Sequence, residues 1–488
     1  MKPRAKQAGN GKRRGPAVKK GESAPKVHED RSSVAKASVD PARLDAGAKA
    51  PPQRPDVPQL VQIEKPIYGG AFLARLEGKA VFVPLTLPGE QARVRITQSK
   101  GSYATAEAEE IVSPAPERVA PACPHFGACG GCHYQHTGYE TQVSFKLAIL
   151  RETLERAGVV VPAEVDVLSA ELPTQPWAYR DRIRLAFDGT GNPGYRGRRS
   201  HAVVPVHACS IAAPLLLDAA RAFTDVARRI APALRPTEIA LFCDPTETAL
   251  LATVFTATPV KIRFDDLAQA LHERVPALAG AELVMESQFG KQASAQPPRT
   301  IARWGANSLV YRAAGFDYRV DHGAFFQVNR WLVDALVERV TAGQQGALAW
   351  DLFAGVGLFA RRLTARFARV VAVESAPSST AALDANLRDT VGAAAKAETL
   401  AFLRHNGKGQ RPDLIVVDPP RTGLGAETCA LLGQIAAPAL VYVSCDPATL
   451  ARDLRLLVAS GYQIHSITLA DLFPQTFHLE TVVHLRRS

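Results

Sequence analysis

From about residue 322 onward, short β-branched and aromatic runs alternate with helical segments, and several runs end in a reactive side chain. Leu348 to Phe353 leads into the tight turn Ala354-Gly-Val-Gly357, and a helix is expected from Leu358 to Ala368. Arg369 to Glu374 ends in an acid. Asp413 to Asp418 ends in a second acid and is followed by Pro419-Pro420. Val441 to Ser444 climbs to Cys445 and breaks at Asp446-Pro447. This alternation commits the chain to a doubly wound, Rossmann-like α/β sheet of mostly parallel strands. Ligands of such sheets lie outside the carboxyl ends of the strands, so the glycine turn, the acids and the thiol are expected on one lip.

Glycines in the first turn let a cofactor approach backbone amides, and Glu374, about twenty residues on, suits the two hydroxyls of a ribose. A nicotinamide-dependent enzyme would use the same features. The third glycine of the dinucleotide pattern is absent, however, with Phe359 and Ala360 there instead. Asp418-Pro-Pro420 after a later strand points to a class I S-adenosylmethionine methyltransferase. Amino-methyltransferases carry an aromatic residue after this Pro-Pro, whereas Arg421 stands here, which argues for a carbon target. Carbon 5 of uracil is a poor nucleophile until a thiolate adds to carbon 6. After methyl transfer a base must remove the proton left on carbon 5. Cys445 fits the first role. A buried strand cysteine is the commoner use of this residue type, but a place at the lip favours the reactive one. Thr481 to Leu485 reads as a final antiparallel strand. Its start would bring Glu480 to the same lip as the base, with His478 as an orienting neighbour.

The first half of the chain reads differently. Residues 1 to 55 are a basic tail with Lys12-Arg-Arg14 and Lys19-Lys20 and no hydrophobic period, expected to be disordered. Five short strands with glycine turns follow between residues 56 and 113, the pattern of a small closed barrel. Cys123, Cys129 and Cys132 then lie within ten residues, with Cys209 available as a fourth thiol. Such spacing suits a soft metal or an iron–sulfur cluster; His125, His133 and His136 keep zinc open. Residues 114 to 320 read as an α+β region. Within it, Tyr179 to Phe187 reads as a strand with one basic outward face, and Gly194 to His201 as an arginine-dense turn, both suited to RNA. The balance of 58 Lys and Arg against 47 Asp and Glu, net +11, favours a polyanionic partner. No run is long and apolar enough to span a bilayer and no secretory pattern opens the chain, so a cytoplasmic protein is expected.

Several stretches together resemble the RNA uridine-5-methyltransferase family. They are Phe325-Phe-Gln-Val-Asn329, Asp351 to Gly357, Asp418-Pro-Pro-Arg421, Ser444-Cys-Asp-Pro447 and Phe473 to Glu480. Tyr68-Gly-Gly70, Val81-Phe-Val-Pro84 and Leu87-Pro-Gly-Glu90 resemble a TRAM domain, an OB-like RNA-binding barrel. The resemblance implies a methyltransferase domain over 321–488. It implies S-adenosylmethionine contacts from Gln327, Phe353, Glu374 and Asp418, Cys445 as nucleophile and Glu480 as base. It further implies a [4Fe–4S] cluster on Cys123, Cys129, Cys132 and Cys209. With barrel and cysteine loop both present, the chain looks most like the 23S ribosomal RNA branch, a monomer needing no protein partner. Transfer-RNA methylation, a cytosine-5 enzyme and a non-catalytic RNA-binding protein are the rival readings. The chain departs from the family pattern at Leu358 and Asp446, where asparagine is common, and in its basic tail. An extra charge at Asp446 is expected to raise the thiol pKa.

Overall fold

The computed structural model describes residues 57–171, 176–286 and 298–487. The basic tail lies outside them. The described part of the chain opens with five strands: β1 (Gln59–Pro66), β2 (Ala71–Leu76), β3 (Lys79–Pro84), β4 (Gln91–Ser99) and β5 (Tyr103–Ser113). They form a closed barrel in the order β1-β2-β3-β5-β4, with β4 pairing back onto β1. Val61 and Ile63, Val81 and Val83, and Ala92 and Val94 alternate inward to fill it, the two-residue period of a half-buried strand. Closure removes the free edges an isolated sheet would expose. The Leu87–Glu90 turn is shaped by the buried Glu90 carboxylate. It accepts from the backbone N–H groups of Leu87 at 2.7 Å and Ala115 at 3.2 Å, and pairs with Arg118.

Helix α1 (Tyr139–Arg156) and the short strand β6 (Asp166–Leu168) come next. The central sheet is built from β7 (Arg182–Phe187), β8 (Pro193–Arg196), β9 (Val203–Pro205), β10 (Pro236–Cys243), β11 (Leu250–Thr256), β12 (Leu278–Met285) and β13 (Arg299–Gly305), in the order β13-β12-β11-β10-β7-β8-β9. Helices α2 (Pro214–Ile230) and α3 (Phe264–Arg274) pack on it through Leu216, Phe223, Leu267 and Leu271. The expected basic face of the first of these strands is mostly covered. Arg182 lies 4.2 Å from the Phe242 ring and donates to the Ala324 carbonyl, because the chain beyond residue 321 crosses over it. Arg184 alone of this strand's two arginines is exposed, and it pairs with Glu238 and Glu286.

After the hairpin of β14 (Ser308–Ala313) and β15 (Phe316–Asp321) comes the α/β layer: α4 (Val333–Thr341), β16 (Gly346–Leu352), α5 (Leu358–Leu363), β17 (Phe367–Glu374), α6 (Pro377–Leu387), β18 (Gly392–Lys396), α7 (Thr399–Asn406), β19 (Leu414–Val417), α8 (Gly425–Ile435), β20 (Ala439–Ser444), α9 (Pro447–Ala459), β21 (Tyr462–Ala470) and β22 (Glu480–Arg487). The sheet order is β18-β17-β16-β19-β20-β22-β21-β6. Strands β16 to β20 pair in parallel, and β22 runs antiparallel between β20 and β21. Buried on both faces, the central strands read as continuous apolar runs such as Leu414–Val417, fully buried throughout. The helix expected to reach Ala368 stops at Leu363, since Phe367 already starts the next strand. Strand β6 extends the sheet beside β21, and Ile149, Leu150 and Leu154 of α1 share a core with Trp350 and Leu457. Among the described residues no helix is long and apolar enough to cross a membrane.

Candidate active site

Five strand ends build the lip: the carboxyl ends of β16, β17, β19 and β20 and the start of the antiparallel β22. Beyond β16 the chain turns through Phe353, Gly355 and Gly357, all with positive φ. The φ of +90° at Gly357 favours glycine, and a Cβ there would also push Leu383 Cδ1, 2.7 Å away, aside. Glu374, ending β17, accepts from the backbone N–H groups of Gly355 at 2.9 Å, Ser375 at 2.8 Å and Ala376 at 2.6 Å. This carboxylate therefore orders the glycine turn. Asp351 accepts from the Ala360 N–H at 2.8 Å. Asp418 follows β19, and its own N–H donates to the Leu352 carbonyl at 3.3 Å. Burial pushes Asp351 up to about 8, and the charges of Asp418 and Glu374 add to it. Burial likewise pushes Asp418 up to about 7. A positive charge placed beside these carboxyls would favour their ionised form. Together with the glycine turn they fit S-adenosylmethionine, whose sulfur is cationic.

Gln327 is the expected donor contact that is not bonded to this group, and Leu358 is the position where the family's asparagine is missing. Gln327 is buried between β15 and α4 and makes no hydrogen bond to Phe353, Glu374 or Asp418 among the described residues. Leu358 is buried in the core, and its carbonyl accepts the Tyr318 hydroxyl at 3.0 Å, so it serves the framework.

Ser444 of β20 pairs with Thr481 of β22. Cys445 and Glu480 thus stand at neighbouring strand ends, the thiol partly exposed and the carboxyl buried. Burial pushes the Cys445 thiol up to about 12, the charges of Glu480 and Asp418 add to it, and Arg421 opposes them. Asp446 makes the last of these contributions, in the expected direction. Its side chain has a second task. It caps α9, accepting from the N–H groups of Ala448 at 3.0 Å and Thr449 at 2.9 Å, with Pro447 in the first turn. Burial and then Asp418 hold the Glu480 carboxyl well above the usual range, against the pull of Arg421.

Arg421 enters the site in its own right. Its Nη2 lies 3.1 Å from Nδ1 of His478. A guanidinium only donates, so this Nδ1 accepts and the imidazole is neutral. Burial, with Arg421 beside it, pushes His478 down to about 3. A group with that pKa takes no useful proton at neutral pH, which leaves His478 an orienting role.

The loop before Glu480 is fixed by the central region. Lys146 of α1, fully buried, pairs with Asp471 at 2.5 Å and donates to the Phe473 carbonyl at 2.9 Å. Removing one partner of such a pair costs about 3–5 kcal/mol, because the other charge stays buried. Gln142 and Gln475 exchange two hydrogen bonds of 2.9 Å. The N–H groups of His133 and Tyr134 donate to the Gln475 carbonyl at 2.8 and 3.1 Å.

That last contact ties the loop before Glu480 to the cysteine loop. The Gly130 N–H donates to the Arg196 carbonyl at 3.0 Å, and the Arg198 N–H to the Ala128 carbonyl at 3.1 Å. The arginine-dense turn thus closes over the cysteines. All four are free thiols. Burial pushes Cys129 up to about 11 and Cys132 up to about 12, and in both the charges of Cys209 and Cys123 add to the rise. The four thiols are thus near enough for their charges to act on one another, although among the described residues no group of three or more His, Cys, Asp or Glu side chains is arranged to hold a metal ion. The histidines are engaged elsewhere: His136 bonds the Thr86 carbonyl at 3.0 Å, His133 stacks edge-on to Phe477, and His125 meets His207.

Residues 306–488 match the tRNA (uracil-5-)-methyltransferase family model, and residues 58–108 match the TRAM domain. An uncharacterized RNA methyltransferase of Streptomyces avermitilis is 33% identical over 87% of this chain and 97% of its own. The 23S rRNA (uracil(1939)-C(5))-methyltransferase of Chromohalobacter salexigens is 31% identical over 88% of this chain and 89% of its own. Among solved structures, the Pyrococcus abyssi tRNA (uracil-54, C5)-methyltransferase with S-adenosyl-L-homocysteine has the same fold, with TM-score 0.68 and 22% identity over 88% of this chain and all of that one.

Proposed function

The chain belongs to the S-adenosylmethionine-dependent RNA (uracil-5-)-methyltransferases, and from that premise we propose that it methylates carbon 5 of one uridine in 23S ribosomal RNA through a covalent Cys445 adduct. The observation that carries the mechanism is that Ser444 pairs with Thr481, which sets Cys445 and Glu480 at the ends of adjacent strands in the sheet that carries the glycine turn. When bound, S-adenosylmethionine supplies an electrophilic methyl group on a positively charged sulfur. Phe353, Glu374 and Asp418 line its place, and Gln327 is assigned a separate contact to it.

The partly exposed Cys445 thiol passes its proton to solvent water as its sulfur adds to carbon 6, and the ring's electrons move to carbon 5 and oxygen 4. Arg421, which already favours the thiolate, offers positive charge to that enolate. Once carbon 5 carries the methyl group, Glu480 takes the remaining proton from it. The freed electron pair re-forms the ring double bond and expels Cys445.

Support for ribosomal RNA is the 31% identity, over 88% and 86% of this chain, to two relatives named for 23S rRNA. Mapping of 5-methyluridine in cells lacking the protein is expected to show one large-subunit rRNA uridine unmethylated and transfer RNA unchanged. Loss from transfer RNA alone would overturn the ribosomal assignment.

Cys123, Cys129, Cys132 and Cys209 are assigned to a [4Fe–4S] cluster. The support is a thiol-only set whose charges act on one another, with the nearby histidines engaged elsewhere. Its role is structural, because methyl transfer moves no net electron and the loop is bonded to Gln475. Anaerobically purified protein is expected to be brown, with iron and sulfide in equal amounts; colourless protein with stoichiometric zinc would refute the assignment.

A further inference from the structure

The barrel reaches into the reaction centre. The turn Tyr68-Gly-Gly70 between β1 and β2 is pressed against the catalytic loops. A Cβ at Gly70 would meet His133 Cδ2 at 2.8 Å and Phe477 Cδ1 at 3.0 Å, and its φ of +83° is open to glycine. Gly69 beside it has open space around it, so the crowding belongs to one side of the turn. The Tyr68 ring stands edge-on to Phe477, with centroids 5.5 Å apart and planes at 87°. Phe477 in turn lies 4.3 Å from His478, which holds Arg421. On its other side the Tyr68 hydroxyl donates to the Cys445 carbonyl oxygen at 3.5 Å, with the Asp446 charge close enough to act on it. One side chain therefore touches both the loop of the thiol and the loop of Glu480.

The barrel is seated firmly enough to hold that side chain in place. Phe72 packs edge-on to Tyr134 and Phe145, Lys65 pairs with Glu152 of α1, and Phe477 packs against the barrel core. A barrel that served only to grip RNA would need no residue here.

We propose that Tyr68 is a positioning residue for methyl transfer, a strut from the barrel that fixes the Cys445 loop relative to the Glu480 loop. The inference rests on the roles assigned to those two residues. Burial and the Asp446 charge hold the phenol well above its ordinary pKa, so it stays a donor and takes no part as a base.

The test uses full-length protein and an RNA carrying 5-fluorouridine at the target. It measures separately the RNA dissociation constant and the rate of covalent complex formation at saturating RNA and S-adenosylmethionine. Tyr68→Ala is expected to slow adduct formation and kcat on the order of 10²-fold, as misplacement of reacting groups does, with the dissociation constant changed less than about threefold. Tyr68→Phe keeps the ring against Phe477 and loses the hydroxyl, and is expected to slow the adduct about tenfold. An unchanged adduct rate with weakened binding in Tyr68→Ala would make the residue an RNA contact and overturn the proposal. If the alanine variant does not fold, an unchanged rate in Tyr68→Phe overturns it alone. Failure of the unmodified enzyme to form any adduct would instead sink the covalent mechanism on which the inference stands.

Discussion

Cys445→Ala is expected to lose methylation by at least about 10⁴-fold, the scale on which removing a covalent nucleophile acts, and to form no denaturation-resistant complex with 5-fluorouridine RNA. Fluorine at carbon 5 cannot leave as a proton does, so in the unaltered enzyme the adduct is trapped after methyl transfer. The thiol is partly exposed at a strand end, so its loss opens no core cavity and the variant should unfold at an unchanged temperature. Cys429 provides the control: it is buried under α9, with its sulfur beside the Asp453 carbonyl, and Cys429→Ala should trap normally. The raised thiol pKa sharpens the expectation. In the free enzyme Cys445 is protonated at neutral pH and alkylates slowly, so reactivity must come with the substrate. Normal methylation by Cys445→Ala would dismiss the adduct.

The lip was legible because its parts obey local rules. An apolar strand ending in an acid or a thiol and followed by proline or glycine places its last residue at the carboxyl edge. The final strand, read as antiparallel, brings Glu480 to that edge in the observed register. The five barrel strands were legible from their turns. Asp446 was read only as a charge, although Asp before Pro at a helix start is a capping signal, and the structure adds that role.

What could not be read depends on contacts between distant segments. Tyr68 reaches a residue 377 positions away and Lys146 one 325 positions away. Neither meeting leaves a periodic trace, since packing of one domain on another is fixed by shape. The covering of Arg182 belongs to the same class: alternation gives a strand two faces, but not what crosses one of them. Strand β6 was missed because three residues at a sheet edge carry too short a pattern to register.

Glu480→Gln should have a distinct phenotype: the methylated adduct accumulates on ordinary uridine RNA while turnover falls roughly 10²–10⁴-fold, the usual worth of a positioned base. Glutamine keeps the shape and cannot take the carbon 5 proton, so bond formation at carbon 6 proceeds and release stalls. The pH dependence follows from the carboxyl's environment. Burial and Asp418 raise its pKa, so at any given pH less of it is ionised than of an ordinary glutamate, while each ionised carboxylate is a stronger base. Release in the unaltered enzyme should therefore climb with pH through a range above about 4.3, the ordinary glutamate value, and level off once Glu480 is ionised. In Glu480→Gln that limb should vanish from the release step. Asp418 shares the neighbourhood and also titrates high, so the limb must be read on single-turnover release, after methyl transfer, where donor binding no longer contributes. Fast turnover by Glu480→Gln with no accumulated adduct would remove Glu480 from the reaction and turn attention to a water relayed through Asp418.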